Sequence, residues 1–313
     1  MAATEILKVS KLLPFLTDDL YARYTVHELD DLKDPSALSR VRAIVGGGET
    51  RMGAELFDRC PQAKVVSCFG VGYDGVDTRA AVERGITVGH TPDVLNDEVA
   101  DLGLGLMLSI ARQIPQADQY VRSGRWAQAP FPLQRKLTGA RLGLVGMGRI
   151  AKAIAQRAEA FRMQIAYTAR SAKADLPYEF VPNVKDLAAR SDFLLAITPG
   201  GEGTKSLINA EVLKALGPRG FFINIARGTV ADQPALLEAL KNGTIAGAGL
   251  DVFYDEPRID PAFFTLPNVV LTPHMASGTL ETRRAMADRL LDNLRAGLEG
   301  QKMPSAVPEC QAL

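Results

Sequence analysis

The chain is poor in the residues that build special chemistry. It has three cysteines, Cys60, Cys68 and Cys310, with no CxxC pair and one left over from any pairing. That excludes a disulfide framework and argues against a structural zinc site, so no metal is expected and a reducing compartment suits the chain. An excess charge of either sign is also missing, because 36 basic residues offset 36 acidic ones. Without a global field, neither nucleic acid nor an anionic membrane is an expected partner, and any anion must be held locally. The longest apolar stretch, around residues 102–111, falls short of the roughly 20 residues that span a bilayer. The first residues show no long apolar core after a basic start. A secretory signal is therefore not expected, and the cytoplasm is the default location.

What is present is alternation. At 313 residues the chain is long enough for two domains. Short β-branched runs alternate with helical patterns, the signature of βα units on parallel sheets. The first block predicts strands at 41–45, 64–68 and 86–88, with helices at 52–60 and 76–84. Thr91-Pro92-Asp93 breaks that pattern. One helix is expected from Asn96 to about Tyr120, followed by an irregular arm over 124–132. A second series predicts strands at 141–145, 164–168, 192–198, 220–226, 246–252 and 268–272. Helices separate most of these, for example 233–241, and a last amphipathic helix covers 279–299. The expected fold class is α/β, with two doubly wound parallel-sheet domains.

Gly146-Met147-Gly148-Arg149-Ile150-Ala151 directly follows an apolar strand and opens a helix over 149–161. In that context the glycines read as a dinucleotide fingerprint. The first permits a tight turn, and the second lets backbone N–H groups approach a pyrophosphate at the helix N-terminus. Ala151 takes the third small position. A glycine-rich run at 200–206 resembles a P-loop only loosely, because its lysine does not follow the glycine directly. About 20 residues after the fingerprint, NAD-binding chains normally place an acid on the ribose 2′-hydroxyl. Here Thr168 stands at that place, followed by Arg170, Ser171 and Lys173. A carboxylate would repel a 2′-phosphate, whereas an arginine fork can bind it. The expected coenzyme is NADPH, ahead of NAD.

Of the three histidines, His27 and His90 read as structural or surface groups. His274 ends a strand in Thr272-Pro-His274 and precedes Met-Ala-Ser277-Gly278, a place where catalytic groups of open α/β sheets gather. Asn224-Ile-Ala-Arg227-Gly228, Gly249-Leu-Asp251-Val-Phe-Tyr-Asp-Glu256-Pro257 and Thr272-Pro-His274 resemble, in order and spacing, three blocks of the D-2-hydroxyacid dehydrogenases. Ser67-Cys-Phe-Gly70-Val71-Gly72-Tyr-Asp74 is similar to that family's substrate loop, and Thr91-Pro-Asp-Val-Leu95 to its interdomain turn. The resemblance covers nearly the whole chain.

The resemblance implies a hydride transfer between a nicotinamide and a small 2-keto acid, with named roles. His274 would be the proton donor, Glu256 its partner, and Arg227 the clamp on the substrate carboxylate. Val71 and Gly72 would hold that carboxylate through backbone N–H groups. Asp251 would face the nicotinamide, and Thr198, Ala226 and Ser277 would complete the cofactor contacts. The family pattern also implies a substrate-binding domain over 1–98 and 286–313, a Rossmann domain over 99–285, and a homodimer built on the long helix and arm. Thr168 with its following cations looks like the glyoxylate and hydroxypyruvate reductase branch. Ala158-Glu-Ala-Phe161 and Met286-Ala-Asp288 are similar to plant hydroxyphenylpyruvate reductases. Formate-type and phosphoglycerate-type dehydrogenases fit less well, and a dinucleotide-sensing binding protein is the rival of another class. One departure is Ala276, where the family often has glycine, which bears on the tightness of the turn after His274.

Overall fold

The computed structural model describes residues 4–311. The chain divides into two compact units, one formed by residues up to Leu95 and from Thr279, the other by Asn96–Gly278.

The first unit opens with elements that the sequence pattern does not single out. These are β1 (Glu5–Lys8), α1 (Pro14–Arg23) and β2 (Thr25–Glu28). Four-residue strands carry too little alternation to be read, and β1 ends in Lys8, which is buried and paired with Glu28 Oε1 at 3.1 Å. There follow β3 (Ala43–Gly47), α2 (Ala54–Arg59), β4 (Val65–Phe69), α3 (Thr78–Glu83) and β5 (Thr87–Gly89). All five strands are parallel, in the order β2-β1-β3-β4-β5. The central strands are buried on both faces, which is why Ala43–Gly47 and Val65–Phe69 read as nearly unbroken small and apolar runs.

The second unit starts with α4 (Asn96–Arg112) and α5 (Ile114–Arg122). The single helix expected to about Tyr120 is thus two, separated by Gln113 at φ 50°. Pro115 is the cause. In a continuous helix its ring would strike the carbonyl four residues earlier, and that carbonyl, of Ala111, instead accepts the Arg135 N–H at 3.1 Å.

Then come β6 (Arg141–Val145), α6 (Arg149–Ala160), β7 (Gln164–Thr168), β8 (Glu179–Phe180), α7 (Val184–Ala189), β9 (Phe193–Ala196), α8 (Ala210–Leu216), β10 (Phe221–Asn224), α9 (Gln233–Lys241), β11 (Gly247–Leu250) and β12 (Val269–Leu271). The sheet is parallel throughout, ordered β12-β11-β10-β9-β6-β7-β8. Counted from β6 this is the Rossmann order with a seventh strand added, and the order reverses between β6 and β9. Asp232 caps α9 through the Ala235 N–H at 3.1 Å, and Gly243 at φ 68° follows its end.

The last helix, α10 (Leu280–Leu298), is capped by Thr279 and returns to the first unit. Its Ala287, Leu290, Leu291 and Leu294 pack with Ile6, Leu20 and Val65. Each of these leucine, isoleucine and valine side chains contributes about 1.5–3 kcal/mol by leaving water. The division between units falls at the starts of α4 and α10, since a helix stays whole with the core its apolar stripe enters. Residues 98 and 286, where the family pattern puts the boundaries, lie inside those helices.

Candidate active site

The carboxyl end of β6 runs into a turn built for close approach. Gly146 sits at φ 108°, and a Cβ there would stand 2.7 Å from the Ile197 carbonyl oxygen. Met147 turns inward and is buried. Gly148 is exposed and precedes α6 with no side-chain cap, and a Cβ on it would meet nothing within 4 Å. The first N–H groups of α6 therefore face open space at the positive end of a helix dipole, as a seat for a pyrophosphate requires. Arg149 lies exposed and Ile150 half-buried on the first turn, while Ala151 is fully buried. Thr198 follows β9 at the order reversal, half-buried beside Gly146.

At the end of β7, Thr168 is buried and donates its hydroxyl to the Pro182 carbonyl at 3.1 Å. An uncharged, already tethered group thus occupies the place of the usual acid. Arg170, Ser171 and Lys173 beyond it are exposed. Among the described residues neither cation forms an ion pair, whereas Asp175 in the same segment is paired with Lys152 at 2.9 Å. The local charge facing solvent is positive.

Three further strand ends lie side by side. β10 ends at Asn224, whose amide brackets the next turn: Oδ1 accepts the Ala226 N–H at 3.1 Å, and Nδ2 donates to the Arg227 carbonyl at 3.0 Å. Arg227 is half-buried and donates Nη1 to the buried Ala226's carbonyl at 2.8 Å. Gly228 follows because nothing larger fits; a Cβ would stand 1.9 Å from the Phe253 carbonyl oxygen. That contact presses the β10 loop onto the β11 loop, which carries Glu256.

β12 leads into Thr272-Pro273-His274, with His274 in the left-handed region at φ 49°. His274 Nδ1 lies 2.6 Å from Glu256 Oε2, and Glu256 Oε1 accepts the Phe253 N–H at 2.8 Å. The Glu256 hydrogen bond raises the His274 pKa above its ordinary value, against burial and the Arg227 cation, which lower it. Burial pulls the Glu256 carboxyl up, but the bonds from His274 and the Phe253 N–H together hold it lower than usual. The pair is poised as imidazolium and carboxylate, with Arg227 close enough to act on both.

Asp251 sits beneath this turn, sealed from solvent. Its Oδ1 accepts from Thr272 Oγ1 at 2.7 Å and the Met275 N–H at 2.9 Å, and its Oδ2 from the Ala276 N–H at 3.0 Å. In this conformation both carboxylate oxygens are engaged by the turn that carries His274. Alanine at 276 does not loosen the turn: its backbone makes the Asp251 contact, and the Gly278 N–H closes onto the Met275 carbonyl at 2.7 Å. Ser277 is half-buried within it.

Residues 104–276 match the model of the D-isomer specific 2-hydroxyacid dehydrogenase NAD binding domain. The chain belongs to the D-isomer specific 2-hydroxyacid dehydrogenase family. A hydroxyphenylpyruvate reductase of Plectranthus scutellarioides is 46% identical over 267 residues, 85% of each chain. A glyoxylate/hydroxypyruvate reductase of Arabidopsis thaliana is 40% identical over 312 residues, 98% of this chain and 100% of that one. Among solved structures, an NADPH-dependent glyoxylate/hydroxypyruvate reductase of Sinorhizobium meliloti, in complex with NADP and malonate, superposes with a TM-score of 0.92. It is 41% identical, covering 99% of this chain and 98% of that one.

In the first unit of this dehydrogenase-family chain, Val71 and Gly72 follow β4 in a half-buried loop. His90, just after β5, has a definite structural task. Its Nδ1 lies 2.8 Å from the Val71 carbonyl, and the Tyr73 ring meets the imidazole edge-on at 5.3 Å. Donation from Nδ1 to that carbonyl ties the loop to the end of β5. Sequence reasoning missed the supporting role of Asn224, although Asn224 begins a motif that the family pattern picks out.

Proposed function

We propose that the chain is an NADPH-dependent reductase that converts a small 2-keto acid of the glyoxylate and hydroxypyruvate class to the D-2-hydroxy acid. The observation that carries this reading is the 2.6 Å His274–Glu256 pair beside Arg227, on the sheet whose first turn is a dinucleotide cradle. The residues present fit the coenzyme: Gly146, Met147, Gly148, Arg149 and Ile150 would hold the pyrophosphate, and Arg170, Ser171 and Lys173 the 2′-phosphate. Thr198, Ala226 and Ser277 would line the way to the nicotinamide. A bound NADPH supplies the hydride.

The chain's own residues do the rest. Hydride addition leaves an alkoxide, which needs a proton from a group near neutral pKa. With Nδ1 committed to Glu256, His274 gives the proton from Nε2 to the former keto oxygen, and its partly exposed ring can be recharged from solvent. Arg227 binds the substrate carboxylate and polarises the carbonyl. The Val71 and Gly72 N–H groups are assigned to the carboxylate as well.

Support for NADPH over NAD comes from the uncharged Thr168 and the unpaired cations after it, and from the Sinorhizobium enzyme's NADP complex. Exposed Val121 on α5 and Trp126 on the arm support a homodimer. The free, buried Cys60, Cys68 and Cys310 support a cytoplasmic protein, and among the described residues no helix is long and apolar enough to cross a membrane. The 46% identity to the Plectranthus enzyme favours hydroxyphenylpyruvate as the second substrate reading.

The test is kcat/KM with NADPH for glyoxylate, hydroxypyruvate, pyruvate, phenylpyruvate and 4-hydroxyphenylpyruvate. A tenfold advantage for an aryl keto acid replaces the small-substrate reading with the aryl one. Absence of turnover on all five leaves a dinucleotide-sensing protein as the better account.

A further inference from the structure

The cations assigned to the 2′-phosphate stand on an exposed segment, and an exposed segment discriminates poorly unless something fixes it. The segment leaves β7 after Thr168 and returns at β8. Three contacts hold it from outside its own backbone. Lys152 pairs with Asp175 at 2.9 Å, Tyr178 donates to Glu159 Oε1 at 2.9 Å, and the Lys173 N–H donates to the Tyr167 hydroxyl at 2.6 Å.

These contacts are not equivalent. The Lys152 and Asp175 side chains are 45% and 66% exposed, so water and salt screen the pair and it constrains little. The Tyr178 bond ends on an exposed glutamate. Tyr167 is different, with 1% exposure and its ring against Phe180 at 5.5 Å between centroids. It lies on β7, whose register with β6 is fixed along all five residues. Its neighbour Thr168 bonds the far side of the excursion at Pro182, and its own carbonyl accepts the Val181 N–H at 2.8 Å. The cationic segment therefore starts from and returns to the same two residues, and only the Tyr167 hydroxyl reaches its middle from the core.

We propose that Tyr167 is a positioning residue for the coenzyme 2′-phosphate: its buried hydroxyl accepts the Lys173 backbone N–H and so fixes the Arg170–Lys173 turn. Tyr167 itself touches no coenzyme. A tyrosine that merely fills the core would serve both nicotinamide coenzymes alike. A tyrosine that sets this turn affects only the one carrying the 2′-phosphate. The inference rests on the NADPH reading above, and the experiment separates the two.

Tyr167→Phe keeps the ring and removes the acceptor. Wild type and variant are compared by KM and kcat for NADPH and NADH at saturating glyoxylate, by calorimetric binding of adenosine 2′,5′-bisphosphate, and by thermal unfolding. The variant should raise KM for NADPH and weaken the bisphosphate by about three- to tenfold, the range set by one net hydrogen bond. The NADH constants and kcat should stay within about twofold. Lys152→Ala, which removes only the screened pair, should leave the NADPH-to-NADH ratio near wild type. If both coenzymes weaken together, or neither does, Tyr167 is packing only and the proposal is overturned. If Lys152→Ala lowers the ratio and Tyr167→Phe does not, the surface pair is the clip instead. A wild-type enzyme without NADPH preference removes the cofactor reading and this inference with it. A preference that survives Tyr167→Phe unchanged removes this inference alone.

Discussion

His274 Nδ1 and Glu256 Oε2 stand 2.6 Å apart, and the other oxygen of Glu256 is held by the Phe253 N–H. Anchored at both oxygens, the carboxylate cannot turn away, so it fixes the imidazole with Nε2 pointing elsewhere. It also raises the His274 pKa above the ordinary 6.5. Reduction needs the imidazolium. The reductive rate should therefore be full at low pH and fall as pH rises through that raised pKa, with its limb above 6.5. Glu256→Gln removes the anion, so the limb should move to lower pH. The pH profile of kcat/KM for glyoxylate reduction reads this directly, and an unmoved limb would remove Glu256 from the role.

His274→Ala should lower kcat by roughly 10²–10⁴-fold, the usual contribution of a placed general acid. Coenzyme binding should survive, because the proposed role of the imidazole is on the substrate oxygen. Arg227→Lys keeps the charge but loses the fork that fits a carboxylate. Its KM for the keto acid should rise together with a drop in kcat, since the proposed clamp also polarises the carbonyl. Fluorescence titration with NADPH separates these outcomes from a loss of fold.

Arg170→Ala should weaken NADPH by about 1.5–3 kcal/mol, as for a hydrogen bond to a charged group. NADH should change little. Equal losses for both coenzymes would show that Arg170 acts on the loop and not on a 2′-phosphate.

The legible parts of the sequence were those with a local signature. Gly146 and Gly148 stood out because the chain switches there from a strand to a helix period, and α9 because Asn242 and Gly243 mark its end. Arg227, Glu256 and His274 sit on three separate strand ends and share no local pattern. They become neighbours only through the β10-β11-β12 order, so the strand end marked out His274 alone and only the family motifs joined Arg227 and Glu256 to it. β1 and β2 escaped notice because Lys8 and His27 interrupt four-residue strands with groups whose partners, Glu28 and Glu5, come from elsewhere in the chain. The contacts of His90 and Asp251 are hydrogen bonds mostly to backbone atoms, and no residue spacing encodes those.

His90→Phe keeps an aromatic ring beside Tyr73 and removes the donor to the Val71 carbonyl. The loop's N–H groups should then lose their fixed direction. KM for the keto acid should rise severalfold, about what one hydrogen bond sets, while KM for NADPH stays put. A change in kcat alone would assign His90 to something other than the carboxylate loop.

Asp251→Asn tests whether that carboxylate serves the turn or the nicotinamide. Three donors converge on its two oxygens from Thr272, Met275 and Ala276. An asparagine has one acceptor oxygen, so in either orientation its NH₂ faces a backbone N–H, of Met275 or Ala276. The Thr272 hydroxyl can rotate to adapt, but the peptide N–H cannot. One buried donor pair is left unmade, which costs about 1–3 kcal/mol and should appear as a lower thermal midpoint. The turn holds His274 in a left-handed conformation that it would not choose alone. Loosening it should misplace the proton donor and lower kcat by about 10- to 100-fold, the scale of an ångström-sized error in a reacting group. The NADPH KM should hold. A variant as stable as wild type but with a raised KM for both NADPH and NADH would instead put Asp251 against the nicotinamide, in a conformation that exposes it.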